Sequence, residues 1–120
     1  MWHIFKHSSI GNEINIKLLE SQILEHDLIE ENDSAQTTLR RFCQWQYNYH
    51  QSNRLRHDIA ILLTRRDLCR KNDAHIASQS CDTIGLAHSS QICDPKSSCA
   101  IVEDTGLSAA FTIAHELGHV

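Results

Sequence analysis

The residues best suited to chemistry form the pattern His115-Glu116-Leu117-Gly118-His119. On a helix, residues four apart lie one turn above each other on the same side, so His115 and His119 can bind one metal ion. Glu116 lies about 100° further round the helix and can reach a water molecule on that metal. Such a histidine pair with an adjacent carboxylate predicts a zinc site in which Glu116 is the general base of peptide hydrolysis.

The pattern supplies only part of such a site. A catalytic zinc ion has three protein ligands and an open fourth position. The sequence shows two ligands and stops at Val120, one residue after His119. We therefore expect this chain to be a piece of a longer polypeptide. On the motif alone, an exposed polar helix end without a metal is the competing interpretation.

Length and composition narrow the class of protein. The chain has 120 residues, of which 41% are hydrophobic and 22% charged, as in an ordinary globular domain. Its net charge of −4 leaves no basic surplus for nucleic acid or an anionic membrane. No apolar run approaches the roughly 18 residues of a membrane span. The first residues also lack the apolar stretch of a signal peptide.

The cysteine content points to an oxidising compartment. Four of the five cysteines lie between Cys69 and Cys99. No C-x-x-C pair occurs, which disfavours a zinc ribbon or a thioredoxin-like site and favours disulfides. Asn32 begins an N-x-S pattern, an acceptor for N-glycosylation that agrees with secretion. Because five is an odd number, one cysteine is left without a partner in this chain.

Helices and strands that must position the motif can be read from the hydrophobic pattern. Ser34 is a good N-cap, and apolar and aromatic positions predict a helix from Ala35 to about His50. A nearly continuous apolar run over 58–64 predicts a strand buried on both faces. Further strands are predicted at Ile14–Leu18, extending as far as Leu24, at Thr83–Ala87 and at Cys99–Val102.

The last helix is predicted to begin at Asp104 or Thr105 and to carry the motif. One of its faces is expected to pack on the sheet, with the histidine pair at the edge of that face. The residues of this face are Leu107, Ala110, Phe111, Ala114 and Gly118. A glycine inside a helix costs about 1 kcal/mol relative to alanine. Gly118 therefore predicts that another segment packs closely against the helix.

Several segments outside the motif are distinctive in their combination of cysteines, apolar runs and acidic residues. They are residues 42–46, 57–65, 67–69, 81–87, 93–95, 98–101, 103–107 and 110–120. With these segments the chain resembles, over nearly its whole length, the catalytic domain of the ADAMTS family, the secreted zinc metalloproteinases with thrombospondin motifs. Matrix metalloproteinases share the histidine motif but not this cysteine framework.

The resemblance implies a metzincin-type (reprolysin-like) α/β fold. Three layers are expected, with a mixed twisted sheet and an active-site helix beneath it. Residues 1–120 would be the central portion of a peptidase M12B catalytic domain, truncated at both ends. The third zinc histidine would follow six residues after His119. His115 and His119 would bind zinc, and Glu116 would be catalytic.

The resemblance also implies how the cysteines pair. It suggests disulfides Cys43–Cys99 and Cys69–Cys81. Cys93 would pair with a cysteine further downstream, which explains the odd count.

Two further roles follow from the resemblance. Gly85 and Leu86 would belong to the edge strand above the cleft, to which an extended peptide substrate adds as a further strand. Asp58 would be a calcium ligand, although the family's acidic partners are not matched at residues 51–55. From the residues alone, a capping or ion-pair role is the default for Asp58.

The function implied is a secreted zinc metalloendopeptidase that hydrolyses proteins of the extracellular matrix, such as a proteoglycan. Its cofactors would be Zn²⁺ and Ca²⁺, and no nucleic acid or membrane-spanning segment is expected. One alternative is a truncated, catalytically incomplete fragment that acts at most as a binding module. Another is an intracellular domain of helices and strands with a chance histidine motif.

Overall fold

The computed structural model describes residues 2–30, 34–53, 56–71 and 79–120. Within these ranges, two α-helices and five strands follow one another. They are α1 (Ala35–Asn53), β1 (Ala60–Thr64), β2 (Leu68–Lys71), β3 (Gln79–Thr83), β4 (Gly85–Ala87), β5 (Cys99–Glu103) and α2 (Ala109–His119). Short 3₁₀ turns occur at Trp2–Lys6, Ser8–Ile10 and Gly106–Ser108.

The strands form two sheets. In the larger sheet the order is β1-β5-β4, with β5 parallel to β1 and antiparallel to β4. Ala60 is opposite Cys99 at one end of the parallel pair, and Gly85 is opposite Val102 in the antiparallel pair. The antiparallel hairpin of β2 and β3 forms the second sheet. The mixed sheet expected from the sequence is therefore confirmed.

Helix α1 covers one face of the larger sheet. The Ser34 hydroxyl accepts a hydrogen bond from the backbone N–H of Thr37 at 3.2 Å, as an N-cap does. One stripe of the helix, including Leu39 and Phe42, is buried in a cluster with Ile101 of β5. Burying this stripe against the sheet is what stabilises the helix, since isolated helices are marginal in water.

Helix α2 covers the opposite face. Side chains alternate between the two faces of a strand, so Ala100 and Val102 point away from the face that carries Ile101. Both are fully excluded from solvent, and they belong to no cluster with α1. Helix α2 contacts β4 and β5. The sheet therefore lies between two helices, which is the predicted three-layer arrangement.

Two disulfides are present in the structure. Cys43 of α1 is bonded to Cys99 at the start of β5, and Cys69 of β2 is bonded to Cys81 of β3. These are the pairs implied by the resemblance. Among the described cysteines, Cys93 alone is free, and it is exposed.

A polar junction connects α1 to the residues before β1. The buried Gln46 side chain donates its amide N–H to the carbonyl of Pro95 at 2.7 Å, and its Oε1 lies 2.7 Å from Nε2 of His57. Because that oxygen only accepts, His57 carries its proton on Nε2. Its Nδ1 therefore faces Nδ1 of His50, at 3.3 Å, as an acceptor. Burial, with the charge of His50, lowers the pKa of His57, and the charges of Asp58 and Glu20 oppose this.

The predicted strand at Ile14–Leu18 is wrong. The structure has no strand between residues 11 and 24, and the side chains of Leu18 and Ile23 are 79% and 96% exposed. The alternation lasts only five residues and is broken by the adjacent Leu18 and Leu19, so no continuous apolar face extends to Leu24. A hydrogen bond of 2.8 Å from the Tyr49 hydroxyl to Glu20 joins this segment to α1.

Two other predictions concern the glycosylation site at Asn32 and the strand Thr83–Ala87. Asn32, the predicted glycosylation site, lies outside the described residues. The predicted strand Thr83–Ala87 is divided, because Thr83 pairs with Leu68 in the small sheet while β4 starts at Gly85. Within the described ranges, no helix combines the length and the apolar character needed to cross a membrane.

The two disulfides should differ in their contribution to stability. Cys43 and Cys99 are 56 residues apart, and Cys69 and Cys81 are 12 apart. Loop-closure entropy predicts about 4 kcal/mol for the first and about 3 kcal/mol for the second. Urea unfolding should therefore show a larger loss for Cys43→Ala/Cys99→Ala than for Cys69→Ala/Cys81→Ala. Equal losses would contradict the loop-length argument.

The junction at His57 should make the fold sensitive to acid. A histidine with a lowered pKa stabilises the fold above about pH 6.5, its unfolded value, and that stability is lost as pH falls through the folded pKa. The free energy of unfolding should therefore fall between pH 7.5 and pH 5 by more in the wild type than in His57→Gln. The exposed His88→Gln is the matched control. An identical acid loss in all three proteins would exclude the junction as its source.

Candidate metal centre and substrate cleft

Hydrogen bonds lie both before α2 and at its end. The Asp104 carboxylate accepts from the backbone N–H of Gly106 at 3.1 Å, in the 3₁₀ turn Gly106–Ser108. Helix α2 itself begins at Ala109, later than the predicted start at Asp104 or Thr105. At its end, the backbone N–H groups of Ser90 and Ile92 donate to the carbonyls of His119 and Val120 at 2.7 and 3.0 Å. These carbonyls have no partner within the helix, so the loop after β4 caps it. The last turn of α2 is thereby attached to the end of β4.

The two histidines of the motif converge on one point. Their rings are almost perpendicular, at 85°, with centroids 4.6 Å apart and Nε2 atoms 2.9 Å apart. Two nitrogens bound to one tetrahedral zinc ion at about 2.0–2.1 Å lie about 3.3 Å apart. Both rings are exposed. The pair therefore fits two ligands of a single metal ion, although the described residues contain no group of three potential ligands.

Glu116 lies between these histidines in sequence but faces a different environment. Its side chain is buried, at 5% exposure. Burial raises the pKa of the Glu116 carboxyl above its ordinary value, and the charges of His115, His119 and Arg70 oppose this rise. A raised pKa makes the Glu116 carboxylate a stronger base than a fully solvated carboxylate.

A cleft of about 670 Å³ runs between α2 and β4. Its lining includes the motif residues His115, Glu116 and His119 together with Gly85 and Leu86. The structure thus brings together the predicted motif and the predicted edge strand. Asp58 is not among the residues that line the cleft.

Two further residues of the cleft were missed at the level of sequence. They are Phe111, which is 70% exposed, and Arg70 of β2, which contributes a positive charge. Ile84, which is 50% exposed, also lines the cleft and lies within the predicted strand Thr83–Ala87. Phe111 precedes His115 by four residues, so helical spacing already places both on one side of α2. No comparable sequence signal exists for Arg70, which depends on the path of β2.

The predicted apolar face of α2 is largely wrong. Leu107 and Phe111 are 97% and 70% exposed. The residues actually buried are Ala109, Thr112, Ala114 and Glu116. Small residues face the sheet because β4 and β5 lie close to the helix, and the larger Phe111 is on the open side. Hydrophobicity alone misplaced the buried face.

Gly118 differs from expectation, whereas the calcium role of Asp58 stays a prediction. A Cβ added to Gly118 would have no neighbour within 4 Å, so no described segment packs against it. Asp58 is exposed, and its backbone carbonyl accepts a hydrogen bond from the Ser98 hydroxyl. Within the described ranges, Asp58 belongs to no group of three potential metal ligands. The family's further calcium ligands would fall within residues 51–55, of which 54 and 55 lie outside the described ranges.

The fold and the site define a class of α/β domains in which a His-Glu-x-x-His helix lies along the edge strand of a mixed sheet. Residues 7–120 match the family described as "Reprolysin (M12B) family zinc metalloprotease". The chain belongs to this family.

Similar proteins support a narrower relationship. The chain is 47% identical to "A disintegrin and metalloproteinase with thrombospondin motifs gon-1" of Caenorhabditis elegans, over 98% of its own length and 5% of that protein. It is 48% identical to "A disintegrin and metalloproteinase with thrombospondin motifs 20" of Mus musculus, over 98% of its own length and 6% of that protein. It is 45% identical to "A disintegrin and metalloproteinase with thrombospondin motifs 8" of Homo sapiens, over 98% of its own length and 13% of that protein. The resemblance to ADAMTS metalloproteinases is therefore confirmed. The chain spans only a small part of the length of these relatives.

The free energy of unfolding can test whether Phe111 lies on the open side of α2. Phe111→Ala should change the free energy of unfolding by no more than about 0.5 kcal/mol, as expected for an exposed position. Ala114→Leu should lower it by about 1–3 kcal/mol, because the added atoms have no space against the sheet. Urea unfolding of both variants provides the comparison. A larger loss of unfolding free energy for Phe111→Ala would indicate that Phe111 packs on the sheet, as the sequence predicted.

Proposed function

We propose that the chain is the central portion of the catalytic domain of a zinc metalloendopeptidase. The observation that carries this proposal is the convergence of His115 and His119 Nε2 at 2.9 Å inside a cleft bordered by an edge strand. Membership of the reprolysin family supports it. The two histidines would hold the metal through these nitrogens.

Each of the three motif residues would have a separate task. Zinc, when bound, supplies Lewis acidity that lowers the pKa of water and polarises a scissile carbonyl. A Glu116 carboxylate oxygen would accept the proton of the attacking water and then pass it to the leaving amine. Its burial keeps it from being fully solvated, whereas the exposed histidines remain accessible from the cleft.

An extended peptide would bind beside β4. One side of β4 pairs with β5, and no described strand pairs with its other side. A substrate can therefore add to β4 as a further strand, held by the backbone groups of Gly85 and Ala87, because alternate residues of β4 direct their N–H and C=O groups toward that side. Phe111 and Ile84 offer apolar surface to its side chains. The substrate class is thus protein in extended conformation, and extracellular matrix proteins are the proposed targets.

Secretion is part of this proposal. The two disulfides Cys43–Cys99 and Cys69–Cys81 support an oxidising environment, since such bonds are rare in the cytosol. Calcium binding at Asp58 stays a prediction derived from the resemblance. It requires further ligands that the described residues do not provide.

A second candidate function is a catalytically incomplete module that at most binds partners. It is motivated by the number of ligands, because the described residues offer two where catalytic zinc sites have three. Under this alternative the 120-residue chain holds zinc weakly and cleaves nothing. The natural protein that contains the segment would be the form that supplies the third ligand.

Metal content and turnover, measured together, test both candidates. We expect the natural protein to retain one zinc ion by elemental analysis and to cleave an unfolded protein substrate. In that protein Glu116→Gln should keep the zinc and lose at least about 100-fold in rate, the scale of general-base catalysis. The isolated chain should show substoichiometric zinc and no cleavage.

The same samples decide the remaining points. Normal turnover by Glu116→Gln at equal zinc content would refute the role of Glu116, and stoichiometric zinc with activity in the isolated chain would refute the incomplete-module alternative.

Mass spectrometry should count two disulfides within these residues, and fully reduced cysteines would contradict secretion. Calcium in the elemental analysis that disappears in Asp58→Asn would support the calcium prediction, and its absence from the wild type would exclude it.

A further inference from the structure

The edge strand and the motif helix approach each other closely at Gly85. A Cβ built on this residue would lie 2.5 Å from Oε1 and 2.9 Å from Cγ of Glu116. It would also lie 2.8 Å from Cγ2 of Thr112, one turn earlier on α2. All three distances are shorter than the contacts that real Cβ atoms make. The side chain of Glu116 therefore occupies the space that any larger residue at position 85 needs.

The glycine is not required by backbone conformation. Among the described residues, the glycines with positive φ are Gly11 and Gly106, so Gly85 has dihedral angles that other residues adopt. It is opposite Val102 in a regular antiparallel pairing, and the carbonyl of the neighbouring Ile84 accepts the hydrogen bond from the Glu103 N–H. Since neither strain nor irregular pairing accounts for a glycine here, the remaining reason is the space taken by Glu116 and Thr112.

Packing, rather than hydrogen bonding, fixes the Glu116 carboxylate. The side chain is 5% exposed, and no described residue donates a hydrogen bond to it. On one side it contacts the bare backbone at Gly85, and on the helix side Thr112 is beside it. Thr112 is β-branched and buried, so it has little rotational freedom with which to make room.

We propose that Gly85 is a positioning residue for Glu116: by lacking a side chain, it lets the carboxylate lie against β4 at the base of the cleft. This inference deepens the proposed function, because it assigns to the edge strand the task of locating the general base as well as receiving the substrate. A Cβ at position 85 would point toward α2 and away from the free edge of β4. It would displace the carboxylate without blocking a peptide bound at that edge.

A double-mutant cycle with urea unfolding of the chain tests the contact without using activity. Gly85→Ala should lower the urea midpoint. Glu116→Asp removes one methylene from the obstructing side chain, so Gly85→Ala/Glu116→Asp should recover at least about half of that loss relative to Glu116→Asp alone. Thr112→Ser, which lacks Cγ2, should recover part of it too. The matched control is Gly118→Ala on the same helix, which meets no atom and should not lower the midpoint.

A spectroscopic measurement separates positioning from a general effect on the strand. With ¹³C-labelled glutamate carboxyl groups, Gly85→Ala should shift the Glu116 resonance, whereas Gly118→Ala should leave it in place. In the natural protein, Gly85→Ala should lower kcat with little change in KM, because the substrate edge of β4 is unaltered.

The proposal is overturned if Gly85→Ala lowers the midpoint equally in the Glu116→Asp background and the Glu116 resonance does not move. If Gly85→Ala alone does not fold, recovery of folding by either second substitution supports the proposal, and failure of both overturns it. The proposed function has its own separate failure, which is full turnover by Glu116→Gln. Coupling between positions 85 and 116 in unfolding can therefore be established even if catalysis by Glu116 is refuted.

Discussion

The burial of β5 on both faces is the constraint on which the positions of both helices depend. Its residues from Cys99 to Val102 are completely excluded from solvent. Because side chains alternate along a strand, such a segment needs one apolar layer on each side. Helix α1 supplies the first, attached through Cys43, and α2 supplies the second. Once α2 lies against β5, it also lies beside β4, which is the next strand in the sheet.

This arrangement separates the three motif residues by environment. On a single helical turn, Glu116 points toward the sheet and is buried, while His115 and His119 remain on the open side. The difference arises from the angle of about 100° between consecutive helical residues, combined with the closeness of β4. A cleft that offers exposed nitrogen ligands beside a poorly solvated carboxylate is chemically asymmetric. That asymmetry is a property of the packing of α2, since the three residues are nearly contiguous in sequence.

Sequence patterns predicted those features that depend on local periodicity or on a framework of cysteines. The helix at Ala35 and the strands β1 and β5 were confirmed because Ser34 is a strong cap and the apolar runs are nearly continuous. The prediction that the first of these strands is buried on both faces was wrong, because β1 is at the edge of its sheet and Leu63 is 54% exposed. The strand at Ile14 failed because five alternating residues do not ensure a pairing partner. For α2, Phe111 was assigned to the core because it is hydrophobic, although its spacing from His115 indicates the cleft. Close packing was predicted at Gly118, but it occurs at Gly85. Gly118 stands in open space, and Gly85, whose importance depends on a neighbour 31 positions away in the chain, gave no local signal.

The loop that follows β4 has a consequence for motion. Its N–H groups at Ser90 and Ile92 hold the last two carbonyls of the motif helix, and the same loop is covalently continuous with the edge strand. The strand β4, the loop after it and the end of α2 are therefore connected around one end of the cleft. Because of this connection, detaching β4 frees the end of α2, and fraying of α2 loosens β4. Amide hydrogen exchange at β4 and at the end of α2 is accordingly expected to occur through one common opening rather than two independent ones.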